Sequence, residues 1–214
     1  MAEALTLIGF HHSVYTWVVR FALAEMGLEA RYVEADPFAV PPDPVLARYT
    51  ALRRVPVLCD GGFCLTETAA ILRYLDHLSD RPTFQPRDAR AAAQMVQIMG
   101  LVDADIYPIL IRQVFSGGYY RPVVMQEPGD SEQVHAGLQR AAPSLTVLDQ
   151  IAREGRQLSG EVLYLADFHL APMLSYALRV PEVAKVISAY PSLAMWWAKI
   201  ASRPALSASD PLAV

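Results

Sequence analysis

Residues 55–78 read VPVLCDGGFCLTETAAILRYLDHL. Two short apolar runs flank Asp60, Gly61 and Gly62, residues suited to the positive φ of a tight turn, so 55–67 is expected as a β-hairpin. The segment 68–78 has helical character. An X-Pro bond loses only about 0.5–1 kcal/mol on becoming cis. Val55–Pro56 can therefore hold a cis turn whose unpaired main-chain groups grip an extended peptide; the plainer reading is a proline that only starts a strand. Glu67 and Thr68 stand where a helix begins, and free N–H groups with the positive dipole end attract an anion such as a carboxylate. The plainer reading there is a helix cap by Thr68 with Glu67 solvated. Cys59 and Cys64 are the only cysteines. Their spacing matches neither a CxxC redox pair nor a metal-ligand set, and two buried thiols are expected.

Towards the N-terminus, LTLIGF (5–10) reads as a strand and VYTWVVRFALAEM (14–26) as a helix with Trp17, Val18, Phe21, Ala22 and Met26 on one face. Gly27 is a natural helix stop, and ARYVEAD (30–36) is a second strand. A Pro-rich loop with room for a short helix spans 36–50. The order βαβ followed by ββα is that of a thioredoxin-like α/β domain, placed at 1–80. Beyond it, SDRPTFQPR (79–87) reads as a linker. The segment 88–115 carries Met95, Ile98, Met99, Val102, Ile106, Leu110 and Val114 on one helical stripe. Further helices are expected over 131–154, 165–179, 182–189 and 191–202, with Pro191 at a first helical position. The second domain, 88–214, is thus expected to be all-α.

Composition narrows the partners. The chain has 214 residues, 53% of them hydrophobic, enough for a substantial core. Eighteen basic and 22 acidic residues give a formal charge of −4. No Lys/Arg cluster marks a nucleic-acid groove or a membrane-facing surface, and small, weakly charged partners are favoured. The stretch MAEALTLIGF lacks a basic leader region, and no run of about 18 apolar residues occurs, so a cytoplasmic protein is expected. The histidines show neither metal-ligand spacing nor a Ser/His/Asp arrangement; no metal is expected.

A thioredoxin-like half followed by a helical half resembles the cytosolic glutathione transferases, and local motifs strengthen the likeness. RRVPVL (53–58) is similar to the family's KVPVL strand start, and TETAAILRYL (66–75) to its ESxAIxxYL turn and helix. MWWAKIASRPAL (195–206) is similar to its WWxxIxxRPA helix. SVYTWVVRFAL (13–23) resembles the start of zeta-class enzymes, whereas the C-terminal motif looks more like the phi class. The resemblance implies an enzyme that binds reduced glutathione as co-substrate. Val55, before Pro56, would pair its main chain with the cysteinyl part; Thr68 would receive the γ-glutamyl carboxylate and Glu67 face the γ-glutamyl amine. Arg54 stands with Arg53 where the family carries a Lys or Gln for the glycyl carboxylate, and an exposed, solvated pair is the alternative.

A free thiol has a pKa of about 8.5, so a transferase must stabilise the thiolate. Lowering that value by about two units takes roughly 2.7 kcal/mol, within reach of one O–H donor beside a helix N-terminus. Position 13 matches the family serine that supplies this donor. Ser13 is also a plausible helix cap, and the roles are compatible; Tyr15 and Thr16 are neighbouring alternatives. A second-substrate pocket for a hydrophobic electrophile is expected to involve His12, Tyr107, Ile111 and Phe115, with Tyr119 and Tyr120 nearby. Asp167 in YLADFHLAP matches a family helix-start box in which Tyr164 replaces the hydroxyl residue, and is expected buried and hydrogen-bonded. The 88–115 helix has apolar residues beyond one stripe, so a homodimer is expected, with Arg73 reaching across its axis. The rival readings are a zeta-like isomerase of a maleylacetoacetate-type diacid, a glutathione peroxidase, and a non-catalytic transferase-like module for protein contacts.

Overall fold

The computed structural model describes residues 5–213. Residues 1–4, part of the stretch read as lacking a leader, and Val214 lie outside the described residues. The chain divides into two compact units, Met1–Phe84 with Pro204–Val214, and Gln85–Arg203.

The first unit is a four-stranded mixed sheet with helices, the thioredoxin-like arrangement. β1 (Leu5–Gly9), α1 (Val14–Met26) and β2 (Ala30–Glu34) form the βαβ element, and α2 (Pro44–Ala47) sits in the Pro-rich loop. β3 (Val57–Asp60) and β4 (Phe63–Leu65) form the hairpin that leads into α3 (Thr68–Leu78). The strand order is β2-β1-β3-β4. β1 runs parallel to β2 and antiparallel to β3, which is antiparallel to β4. Leu7 and Ile8 of β1 are buried, as are Trp17, Val18, Phe21, Ala22 and Met26 of α1. Gly27 ends α1 at φ 69°, a conformation open to glycine at no steric cost.

The register decides what meets at the sheet's end. Ile8 pairs with Val57, so the chain leaving β1 and the chain entering β3 are at the same end. Leu58 pairs with Leu65, so β4 exits there too, and Gly9 pairs with Glu34, so β2 does likewise. The N-termini of α1 and α3 therefore begin at one end of one sheet.

The hairpin corrects the expectation for the cysteines. Cys59 and Cys64 face each other across β3 and β4 and form a disulfide, with Cα atoms 4.1 Å apart. Cys59 is buried but Cys64 is exposed on the edge strand. Counting outward from a two-residue Gly61–Gly62 turn places position 59 opposite 64; motif spacing alone does not consider this.

The second unit is all-α. α4 (Ala89–Leu101) continues without a break into a π-helical stretch, Val102–Met125, followed by α5 (Ser131–Glu154), α6 (Leu165–Ala177), α7 (Pro181–Ile187) and α8 (Pro191–Ala201). The expected stripe from Met95 to Val114 is buried throughout. An ordinary helix was predicted to 115, but Pro108 and Pro122 each lack the N–H of an i→i−4 ladder, and the turns there are wider. Ala89–Met125 is long and apolar enough to cross a membrane by length and composition, but Asp103, Asp105 and Arg112 interrupt it and its inward stripe packs like a core helix. Asp167 is fully buried: its carboxylate accepts from the Tyr164 N–H (2.7 Å) and from Trp196 Nε1 (2.6 Å). The acidic half of the capping box thus forms with Tyr164, not a Ser or Thr, at the cap.

The tail departs from the expected 88–214 helical domain. α9 (Pro204–Ala208) and the residues after it belong to the first unit. Trp17 Nε1 donates to Ser209 Oγ at 3.0 Å, and Leu206 is buried.

Candidate active site

At the shared end of the sheet, the chain turns from β1 into α1 through His11, His12 and Ser13. Ser13 is half-buried at the N-cap, with φ −71° and ψ 121°. Its N–H donates to Phe10 O at 2.9 Å, and its Oγ accepts from the Thr16 N–H at 3.3 Å. Because that bond uses an oxygen lone pair, the hydroxyl proton remains available to an acceptor beyond the helix end. Ser13 is therefore cap and candidate donor at once. Thr16 is fully buried, with Oγ1 unpaired and packed beside Gly9, which has no Cβ to hold it off.

His11 and His12 have different surroundings. The His11 N–H donates to Glu34 Oε1 at 2.9 Å, and its ring Nε2 lies 3.0 Å from Pro211 O. His12 is half-buried, its ring edge-on to Phe10 at 5.7 Å. Burial first, and His11 second, hold its pKa below the usual imidazole value, against the opposing charge of Glu34. A neutral imidazole thus stands next to Ser13. The Tyr32 hydroxyl donates to Glu34 within β2, whereas the His11 bond to Glu34 comes from the β2 end meeting the chain that leaves β1, and was not visible as a motif.

On the β3 side, Val55–Pro56 is cis, as is Val40–Pro41, which the sequence reading did not single out. Arg53 donates to Ala39 O at 2.7 Å and so braces the Pro-rich loop. Arg54 stays exposed, its Nη1 3.9 Å from Glu67 Oε1. Both side chains are well solvated, so the pair adds little stability.

Glu67 is the N-cap of α3 at φ 65° and ψ 115°, a region costly for a side-chain-bearing residue. It makes no side-chain cap, so the first-turn N–H groups of α3 stay open to a ligand or to water. Thr68 is buried at the first position of the helix. Ser13, Val55, Pro56, Glu67, Thr68 and Arg54 thus all belong to segments that meet at one end of one sheet. Two helix N-termini supply positive potential there.

The residues expected for an electrophile pocket divide differently. Tyr107 is half-buried. Ile111 is 7% exposed and Phe115 4% exposed. Phe115 stacks on Tyr176 at 4.3 Å and on Tyr119 at 5.7 Å, and Arg179 lies 5.5 Å over the Tyr119 ring. Phe115 is therefore core packing of the helical unit rather than open lining. Among the described residues no group of three or more His, Cys, Asp or Glu side chains is placed to hold a metal ion.

Comparison with known proteins gives this geometry its context. Residues 7–83 match the glutathione S-transferase N-terminal domain, and residues 113–204 match the glutathione S-transferase C-terminal domain. The chain is 27% identical over 221 residues to glutathione S-transferase Z1 of Arabidopsis thaliana, covering 98% of this chain and 92% of that protein. It is 29% identical over 156 residues to glutathione S-transferase theta-1 of Mus musculus, covering 72% of this chain and 64% of that one. The solved structure of glutathione S-transferase III in apo form superposes with a TM-score of 0.84 at 26% identity, covering 99% of this chain and 97% of that chain. With both domains matched, and the paired helix starts and cis-Pro turn in the positions its sequence motifs implied, the chain belongs to the glutathione S-transferase family.

Proposed function

We propose that the protein binds reduced glutathione at the shared end of the sheet and stabilises its thiolate for attack on a hydrophobic electrophile. The observation that carries this reading is the bonding of Ser13: its oxygen takes the Thr16 N–H, which leaves the hydroxyl proton for a thiolate at the α1 N-terminus. The γ-glutamyl carboxylate is assigned to the open first turn of α3 and the Thr68 hydroxyl, its amine to Glu67, and the cysteinyl main chain to Val55. Arg54 is a solvated cation available to the glycyl carboxylate. Selection of the electrophile is assigned to the helical unit, to the half-buried Tyr107 first, with the buried Ile111 and Phe115 further along the same helix. Isomerisation of a maleyl-type diacid is a second reading, supported by the likeness over nearly the whole chain to glutathione S-transferase Z1. A cytoplasmic homodimer completes the proposal: Val96 on α4 is 56% exposed, an apolar side chain left outside the inward stripe.

Calorimetry tests binding first, with a micromolar to low-millimolar Kd expected, about 4–8 kcal/mol. Absence of heat at several millimolar glutathione would leave the non-catalytic reading. Ultraviolet titration of the bound thiolate then tests the donor. Ser13→Ala should raise the thiol pKa and cut turnover roughly 10²-fold, with affinity nearly unchanged, whereas Thr16→Ala should do much less. The reverse ranking would show that the hydroxyl is misassigned. Assay with aryl halides, hydroperoxides and maleylacetone separates the catalytic readings, and light scattering that returns a monomer mass overturns the dimer.

A further inference from the structure

We propose that the Cys59–Cys64 pair is a reversible thiol–disulfide exchange site, with Cys64 the sulfur that a small thiol attacks and the sulfur that carries the mixed disulfide. Nothing in the transferase reading uses either cysteine, and the exchange needs only a soluble thiol, so the proposal stands apart from glutathione binding at the sheet's end. The two residues are directly opposite in the ladder, joined across a turn of four residues. Their surroundings are unlike. Cys59 is 6% exposed and packs with Ile8, Ala35, Leu46 and Val57. Cys64 is exposed and lies on β4, the edge strand. A nucleophile must approach the sulfur it attacks, so access selects Cys64, and Cys59 becomes the leaving group.

The step balances with a low-molecular-weight thiol as reductant. The thiolate attacks Cys64 Sγ; a new S–S bond forms to Cys64, the Cys59–Cys64 bond breaks, and Cys59 leaves with the electron pair. Its apolar surroundings disfavour the anion, so Cys59 takes a proton from water and remains as a buried thiol, a state its neighbours accommodate. A second thiolate attacks the sulfur of the small thiol in the mixed disulfide and releases Cys64 as thiolate. Two thiols have then become one small disulfide, and the protein has gained two electrons. The small disulfide drives the reverse sequence.

The hairpin is built to survive the reduced state. β4 pairs with β3 at Leu58–Leu65 and Asp60–Phe63 as well as at the cysteines. Tyr74 on α3 donates to Asp60 Oδ2 at 2.6 Å, and its ring lies 5.4 Å from Phe63. These contacts hold the turn without the bridge. Yet β4 is three residues long and mostly exposed, so opening it is a local event.

The test uses the full chain. The wild type, equilibrated in buffers of graded glutathione to glutathione disulfide ratio, is acid-quenched, alkylated and weighed intact. The expected result is a shift from no alkylated cysteine in the oxidising buffers to two in the reducing ones. Two alkylated cysteines at every ratio, or none at any, overturns the proposal. Cys59→Ser treated with glutathione disulfide should retain one glutathione on Cys64, because no second thiol is present to expel it. Cys64→Ser should take none over the same time, and equal labelling of both variants would overturn the assignment to Cys64. Circular dichroism of each variant verifies folding, and the wild-type redox titration decides the central point without any variant. Repetition with 2-mercaptoethanol and its disulfide, which lack the γ-glutamyl group, should label Cys64 as well. Labelling by glutathione alone would place the reaction in the glutathione pocket and overturn the independent site.

Discussion

Asp167 and Glu67 show how much one residue's environment decides. Asp167 is sealed in the helical unit, and burial pushes its carboxyl up to about 6, against the Tyr164 and Trp196 donors and the charge of Arg203. An unfolded Asp titrates near 3.9, so the folded state holds the proton longer. That contribution is fully present below about pH 4 and lost as pH rises through about 6. Urea unfolding across this range should show the wild type losing on the order of 2–3 kcal/mol relative to Asp167→Asn on going from acid to neutral pH. Parallel pH slopes for the two proteins would show that Asp167 is not the titrating group. Glu67 holds a positive φ that its side chain disfavours, a cost retained at the proposed site. Glu67→Gly should leave thermal stability unchanged or raise it by up to about 1 kcal/mol, because glycine enters this region freely. Its glutathione affinity should nevertheless fall; a clear loss of Tm with intact affinity would contradict the assignment.

The elements followed from local rules to a useful degree. α1 covers the predicted 14–26, α5 covers the predicted 131–154, and Gly27 and Pro191 take the cap and first-turn positions expected of them. These are short-range matters of periodicity, cap chemistry and fixed φ, all contained within a few residues. The contact between β1 and α1 is different in kind. A Cβ on Gly9 would lie 2.4 Å from Thr16 Cγ2 and 2.9 Å from its Oγ1, so α1 can pack at this depth only over a glycine. Gly9→Ala should cost about 1–3 kcal/mol or more. Thr16→Ala removes the colliding atoms, so the double variant should be more stable than the sum of the two single changes predicts. Strict additivity in thermal or urea unfolding would refute the steric account.

At the scale of the whole chain, the tail completes the first unit. Trp17 is 1% exposed, and the partner of its indole N–H is Ser209, 192 residues later. A chain ending at Arg203 would remove the Ser209 acceptor and uncover the face on which Leu206 packs. Loss of a buried hydrogen bond together with an apolar cover should cost about 2–4 kcal/mol. Tryptophan fluorescence during unfolding should register it as an earlier transition of the first unit. An unchanged transition would show that the tail is dispensable. Assigning the tail to the helical domain was reasonable from its helical spacing, which carries no information on which unit a helix joins.

The sequence alone was sufficient for the two-part architecture, the inward stripe from Met95 to Val114 and the hairpin, and it nominated Ser13, Val55, Glu67 and Thr68 for the proposed site. Each rests on neighbours a few residues apart or on motif likeness. Tertiary structure alone decided which of these segments meet, through the Ile8–Val57, Leu58–Leu65 and Gly9–Glu34 pairings. It also decided that Thr16 turns inward, that Phe115 is spent on Tyr176, and that Asp149 of α5 accepts the Ser192 and Leu193 N–H groups at the start of α8. The disulfide belongs with these, because two cysteines become partners through strand register and not through any property of either residue. Periodicity states which face of an element is apolar; only the packed chain states what that face meets, since the partner's identity is a long-range choice set by the total burial of all elements together.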